Sequence, residues 1–277
     1  MKKITILLTI LLFILYIYTF LWLFNSWLTN PYYSHGIVIP MISAFIIYKK
    51  LDKKNKKPNE TSYTPGIYIF AFGLILYVIG FIQVFPFLSA LSFLFTLSGL
   101  ILYFYGKALM RSLLFPISYL IFAIPLPFLF VEQVAFLLQS ISISFSPFLI
   151  GLFGIPVTTA GSEIQLQNQS FYIGLPCSGI NTLISLLALT TIFIYILKCS
   201  PNKKIFLFCI TIPIAIFANI LRVTFIILIA NQYGTETAMN FFHDVSSPLL
   251  FIIAFIFLIL IARLMGCTLE VMRNSKT

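Results

Sequence analysis

Apolar residues come in long unbroken runs along this chain, with short polar turns between them. A helix needs about 20 apolar residues to cross the roughly 30 Å hydrocarbon core of a bilayer. Eight stretches qualify, some marginally, at about 4–24, 37–51, 66–84, 87–106, 112–130, 178–197, 205–229 and 248–265, the short second one extending back through the Tyr33–Gly36 turn if it is to span. The pattern predicts an all-α, polytopic transmembrane bundle of about eight spans, forming a single integral-membrane domain over 1–277. Two segments break the rhythm. Residues 131–153 are apolar enough to form another span, yet they carry Glu132, Gln133 and Gln139 and are bracketed by Pro125, Pro127 and Pro147. We read them as an interfacial or re-entrant element on the outer side, bent by its prolines. Between Val157 and Ile173, apolar and polar residues alternate, as in Ile164-Gln165-Leu166-Gln167. That period of two predicts a small extracytoplasmic β-hairpin or extended loop.

Composition agrees with the pattern. Apolar residues are 60% and charged residues 9% of the chain, against about 25% charged in soluble domains. Too little polar surface exists to cover a water-exposed globule. The first run follows Lys2 and Lys3 and resembles a signal peptide. It is long for one and has no Ala-x-Ala-like cleavage site, so it is read as a retained helix.

The net charge of +10 raises the question of nucleic acid. The placement of the charges answers it. Lys2 and Lys3, Lys49 to Lys57, Lys107 and Arg111, Lys198, Lys203 and Lys204, and Arg263, Arg273 and Lys276 all fall on one side if both termini are cytoplasmic. That is the positive-inside distribution of a plasma-membrane protein with a basic cytoplasmic tail over 266–277. Its partners are then membrane lipids, and no nucleic-acid surface is predicted. A crossing by 131–153 would upset this arrangement, which is why that segment is kept on one side.

Arg222 is the basic residue left over. It lies inside the seventh span, about 7 Å outward of its centre at 1.5 Å per residue. An arginine at a helix centre costs roughly 2.5–3.5 kcal/mol on insertion scales, and such charges usually face a polar cavity and act there. The bland alternative is a structural arginine that is paired or snorkels outward. Asn219, three residues earlier, shares its helix face.

Among the four cysteines, Cys177, Cys199, Cys209 and Cys267, no CxxC spacing appears. Neither a zinc site nor a disulfide framework is indicated, and no cofactor or metal is expected. Cys199, Cys209 and Cys267 are read as packing. Cys177 is different: it sits in Gly174-Leu175-Pro176-Cys177-Ser178-Gly179, a turn leading into a helix. Helix N-termini stabilise thiolates and oxyanions. The only histidines, His35 and His243, both map to the outer side. His35 lies in Tyr33-Ser34-His35-Gly36 before the second span. His243 lies ahead of Ser246-Ser247-Pro248, a helix start. Each histidine alone is more ordinary as an interfacial hydrogen-bonding group. Together Cys177, Arg222 and His243 supply a nucleophile, a charge stabiliser and a base for acyl transfer. Asp244, the neighbour of His243, points elsewhere on a helix and is not assigned to orient it.

Pro176-Cys177-Ser178-Gly179, Asn219-Ile220-Leu221-Arg222 and the late His243, with Tyr33-Ser34-His35-Gly36 and Ile124-Pro125-Leu126-Pro127, resemble the exosortase/archaeosortase family from about residue 30 to 265. The resemblance implies a membrane cysteine transpeptidase with Cys177, Arg222 and His243 catalytic. We place Tyr33, His35, Ser178, Gly179 and Asn219 in substrate-binding or supporting roles. It also implies the substrate, a secreted protein whose C-terminal sorting signal is a short motif, a transmembrane helix and a basic tail. The signal would be cut at the outer face and the protein passed to a lipid or glycan acceptor. Two other readings stand beside it. One is a transporter or lipid-linked sugar flippase in which Arg222 binds an anionic group. The other is a non-catalytic scaffold of the same fold.

Overall fold

The computed structural model describes residues 2–52, 63–166, 170–234, 238 and 247–269. Their contacts cluster into two compact units, Met1–Pro127 and Phe128–Thr277. Among the described residues, three helices are long and apolar enough to cross a membrane, or four if a bent pair counts as one span. Three shorter apolar helices accompany them.

The first unit holds α1 (Lys2–Leu15), α2 (Ile17–Thr29), α3 (Val38–Asp52), α4 (Gly66–Ile82) and α5 (Pro86–Tyr119). α1 and α2 meet at a 56° bend. At that bend the buried Tyr16 hydroxyl lies 2.7 Å from Ser92 Oγ and accepts from Thr96 Oγ1 at 3.2 Å. α5 is two helices joined at Gly106, whose φ of 76° and ψ of 178° are not helical. The chain doubles back there. Leu23, Ala90 and Ile124 share one buried cluster, whereas a straight helix would hold residues 90 and 124 about 51 Å apart. This divides the segment close to where the pattern of apolar runs divided it, between 106 and 112.

The first arm of α5 packs against α4 along a seam of small residues. Gly66, Gly73 and Gly80 recur every seven positions and face Gly99/Tyr103, Thr96 and Ser89. A Cβ on Gly73 would stand 2.6 Å from the backbone nitrogen of Thr96. Small residues let backbones approach where no hydrophobic force drives helices together. α3 packs on the second arm, Ser43 Oγ donating to Pro116 O at 2.6 Å. At the far end of that pair Lys50 Nζ donates to Ser112 O. Lys107 Nζ lies 4.3 Å over the Tyr63 ring. Basic side chains thus gather at one end of this unit.

The second unit holds α6 (Phe128–Gly151), a sheet of β1 (Thr158–Ala160), β2 (Glu163–Gln165) and β3 (Ser170–Tyr172), then α7 (Ile180–Ile196), β4 (Leu197–Lys198), α8 (Pro201–Tyr233), α9 (Ser247–Leu264) and β5 (Thr268–Leu269). The alternation seen in the sequence does form an antiparallel sheet, three strands rather than a single hairpin. Its inward residue, Ile164, is fully buried with Ile143, Ile150, Ile173, Val223 and Ile227.

The segment expected as an interfacial or re-entrant element forms one continuous 24-residue helix, α6, long and apolar enough to cross a membrane. Pro147 sits within it without ending it. Serines 140, 142 and 144 bond back to the carbonyls four residues earlier. α6 runs parallel to α8: Ser142 meets Asn219, Ser146 meets Ile220, and Ile150 packs with Ile227. α7 and α9 run antiparallel to α8, through Thr190–Thr211 and through Ala254 against Ala215 and Ala218. The β4–β5 ribbon closes one end, where Lys203 Nζ donates to Met265 O at 2.6 Å.

Gly73→Ala tests the α4–α5 seam. It is expected to cost about 1–3 kcal/mol, as overpacking does. Gly151→Ala has nothing within 4 Å of its Cβ and should be nearly neutral. Thermal unfolding of the detergent-solubilised protein compares them, and equal midpoints would mean that the seam is looser than described.

Candidate active site

The turn before α7 is built by its own residues. Residues 175–178 form one turn of 3-10 helix, closed by the Cys177 N–H donating to Gly174 O at 2.9 Å. Gly179 then takes a left-handed φ of 81° and starts α7. Glycine is required there twice over. Its φ disfavours a side chain, and a Cβ would stand 2.5 Å from Asn219 Cγ.

Asn219 reaches this turn from α8. Its Nδ2 donates to Cys177 O and Ser178 O, each at 3.0 Å, and to Ser142 Oγ at 2.8 Å. Carbonyls only accept, so the amide nitrogen must face them. Oδ1 is buried and takes no hydrogen bond among the described residues. Ser142 passes the tie on, donating to Leu138 O at 3.0 Å. Around it α6 presents a buried polar stripe. Gln139 Nε2 donates to Ile173 O, just before the turn, and Ser146 Oγ donates to Ile220 O at 3.3 Å.

Arg222 is one turn further along α8 and is buried, 8% exposed. Placed 18 residues past Lys204, it stands about 27 Å along the helix from the basic end of the unit. The structure therefore brings Cys177, Ser178, Gly179, Asn219 and Arg222 together at the end away from those lysines.

Cys177 is half-buried and packs on the isoleucine cluster of α6, the sheet and α8. Burial pushes its thiol above the ordinary value, while the Arg222 guanidinium and a hydrogen bond between the sulfur and the Gly174 backbone pull it down. Burial wins. The stabilising effect expected of a helix start and of Arg222 is therefore opposed by burial, which shifts the balance toward the thiol.

His243 and Asp244 lie outside the described residues. Tyr33 and His35 belong to the first unit. Tyr33 is buried and its hydroxyl accepts from the Leu126 N–H at 3.0 Å. His35 bonds to the backbone of Phe122, and burial lowers its pKa against that bond. Gly36 fits against Trp27, whose Nε1 donates to Ala123 O at 2.7 Å. These residues pin the turn before α3 to the segment after α5.

Ser142 and Ser146 were not anticipated, and Gln139 was read only as a polar residue of an interfacial or re-entrant element. Their signal was present. Polar residues at 139, 142 and 146 follow helical spacing inside an apolar run, and mark a buried face.

Residues 27–260 match the family model described as Transmembrane exosortase (Exosortase_EpsH). No curated protein and no solved structure matches the chain. The matched region contains every residue of the site.

Thiol alkylation reads the electrostatics. Arg222 lowers the Cys177 pKa, so Arg222→Ala should raise it further. Labelling of Cys177 should then slow at neutral pH and its pH profile move upward, with Arg222→Lys in between. An unmoved profile would show that the guanidinium does not act on the thiol.

Proposed function

The chain belongs to the transmembrane exosortase family, and from that premise we propose that it is a cysteine transpeptidase with Cys177 as nucleophile. One observation supports this most: the Cys177 turn is held by a side chain of α8 beside a buried arginine, in a chain with very few charges. Arginine at that depth is costly, and its influence on the thiol gives the cost a use.

In the proposed reaction His243 takes the Cys177 proton. The sulfur attacks the carbonyl carbon of the scissile peptide. Arg222 stabilises the oxyanion of the tetrahedral intermediate. The C–N bond then breaks, the imidazolium protonates the leaving amine, and an acyl thioester remains on Cys177. An amine or hydroxyl of a lipid or glycan acceptor attacks the thioester and releases the thiol. Ser178, Gly179 and Asn219 shape the turn, while His35 and Tyr33 serve as supporting residues. The substrate is a secreted protein with a C-terminal sorting signal. Its transmembrane helix packs laterally on the bundle through small and polar residues, and its basic tail stays cytoplasmic.

We further propose that the end bearing Lys198, Lys203, Lys204 and Arg263 is cytoplasmic, by the positive-inside rule. The Cys177 end then faces outward in the plasma membrane. Two single-cysteine variants test this, with the native cysteines replaced by serine. Gly151→Cys should react with an impermeant maleimide on intact cells. Ser200→Cys should react only after permeabilisation. The reverse pattern would invert the proposed orientation.

Activity is tested with a reporter carrying a sorting signal. Cys177→Ala should lose at least about 10³-fold in processing, with insertion unchanged. His243→Ala should lose about 10²–10⁴-fold as a missing acid–base group, and Arg222→Lys about 10²–10³-fold. Full processing by Cys177→Ala together with a block by Arg222→Ala would favour a transporter that binds an anion.

A further inference from the structure

The sequence assigned Cys199 and Cys267 to packing, yet the fold places them face to face. β4 and β5 pair antiparallel, with Leu197 opposite Leu269 and Lys198 opposite Thr268. Continuing that register by one residue sets Cys199 opposite Cys267. Residues so opposed have Cα atoms roughly 4.5–5.5 Å apart, inside the range of about 4.4–6.8 Å that a disulfide spans. The side chains also meet. A hydrogen bond joins the two thiols, and Cys199 packs on the cluster of Phe193, Leu197, Leu207 and Ala262 that contains Cys267. Cys267 is buried and Cys199 half-buried. The Cys267 thiol is raised to about 11, first by burial and then by Cys199, while Lys203 and Lys204 pull it down. With only four cysteines in 277 residues, a pair brought into register across 68 positions is a specific arrangement. It lies at the opposite end of α7 and α8 from Cys177, and the proposed reaction does not use it.

We infer that Cys199 and Cys267 are an oxidisable dithiol that a low-molecular-weight disulfide converts into an intramolecular bond. Cys199 is the more exposed and attacks first. Its thiolate displaces one small thiolate from the oxidant and forms a mixed disulfide. Cys267 then gives up its proton, attacks the Cys199 sulfur and expels the second small thiolate. Two protein thiols are oxidised, one small disulfide is reduced to two thiols, and both protons end on those thiols. The bond ties the α7–α8 connection to the segment after α9. It thereby fixes the far end of α9 against the two helices that carry the Cys177 turn and Arg222. On the proposed orientation this end faces the cytoplasm, where thiols are kept reduced. The dithiol is then the resting form and the disulfide records an oxidising episode.

The test needs neither the proposed activity nor the orientation. Purified full-length protein in detergent is incubated with oxidised glutathione, blocked with an alkylating agent and digested for peptide mapping. The expected result is joint loss of two of the four thiols, with the Cys199 peptide linked to the Cys267 peptide. Cys209→Ser should leave the link intact. Cys199→Ser should abolish it, and Cys267→Ser should leave Cys199 as a glutathione adduct. Separate glutathione adducts on Cys199 and Cys267 of the wild-type chain would overturn the inference. So would a link from either to Cys177 or Cys209, or no oxidation of the pair where the unfolded protein reacts at all four positions. Mapping of the wild-type protein decides the matter even if a serine variant fails to fold.

Discussion

The carboxamide of Asn219 donates to two consecutive carbonyls of the Cys177 turn and to a serine of a neighbouring helix. Much of the site follows from where that amide is held. An unpaired buried carbonyl costs about 1–3 kcal/mol, and two of them sit in this turn with no backbone ladder to satisfy them. The amide meets that need from a helix, which is far stiffer than a loop. It therefore fixes the height of the turn against α8. The same contact leaves no room for a side chain at Gly179. With Asn219 engaged, the next residue on that face of α8 is Arg222, one turn away and beside the same segment.

Burial and charge act against each other at Cys177. The isoleucine cluster that orders the sheet and α6 also surrounds the sulfur and raises its pKa. Arg222 opposes this without overcoming it. A thiol becomes nucleophilic when a base takes its proton. In the proposed reaction a histidine takes that role.

Much of this could be read from the chain. Turn chemistry marked Pro176-Cys177-Ser178-Gly179 as a helix entry, and the three-residue spacing of Asn219 and Arg222 put them on one face. The alternation around Ile164 marked the sheet, because a period of two survives in only a few residues. α6 was harder. Its polar residues are the same whether they face a headgroup layer or a neighbouring helix, and only the tertiary partner decides; α8 supplied it. The Cys199–Cys267 pairing had no local signal at all, since a two-residue ribbon closes over 68 positions. The division into two compact units was equally silent, because both are made of the same apolar helices.

In the proposed reaction the sulfur of Cys177 carries the substrate's acyl group during turnover. Rapid denaturation of cells expressing the protein with a sorting-signal substrate, followed by mass spectrometry of the Cys177 peptide, tests this. The expected result is a thioester-linked fragment from just upstream of the substrate's transmembrane helix, labile to hydroxylamine and missing in the Arg222→Ala variant. Efficient processing with the Cys177 peptide unmodified, and with the acyl group found on another side chain, would contradict it.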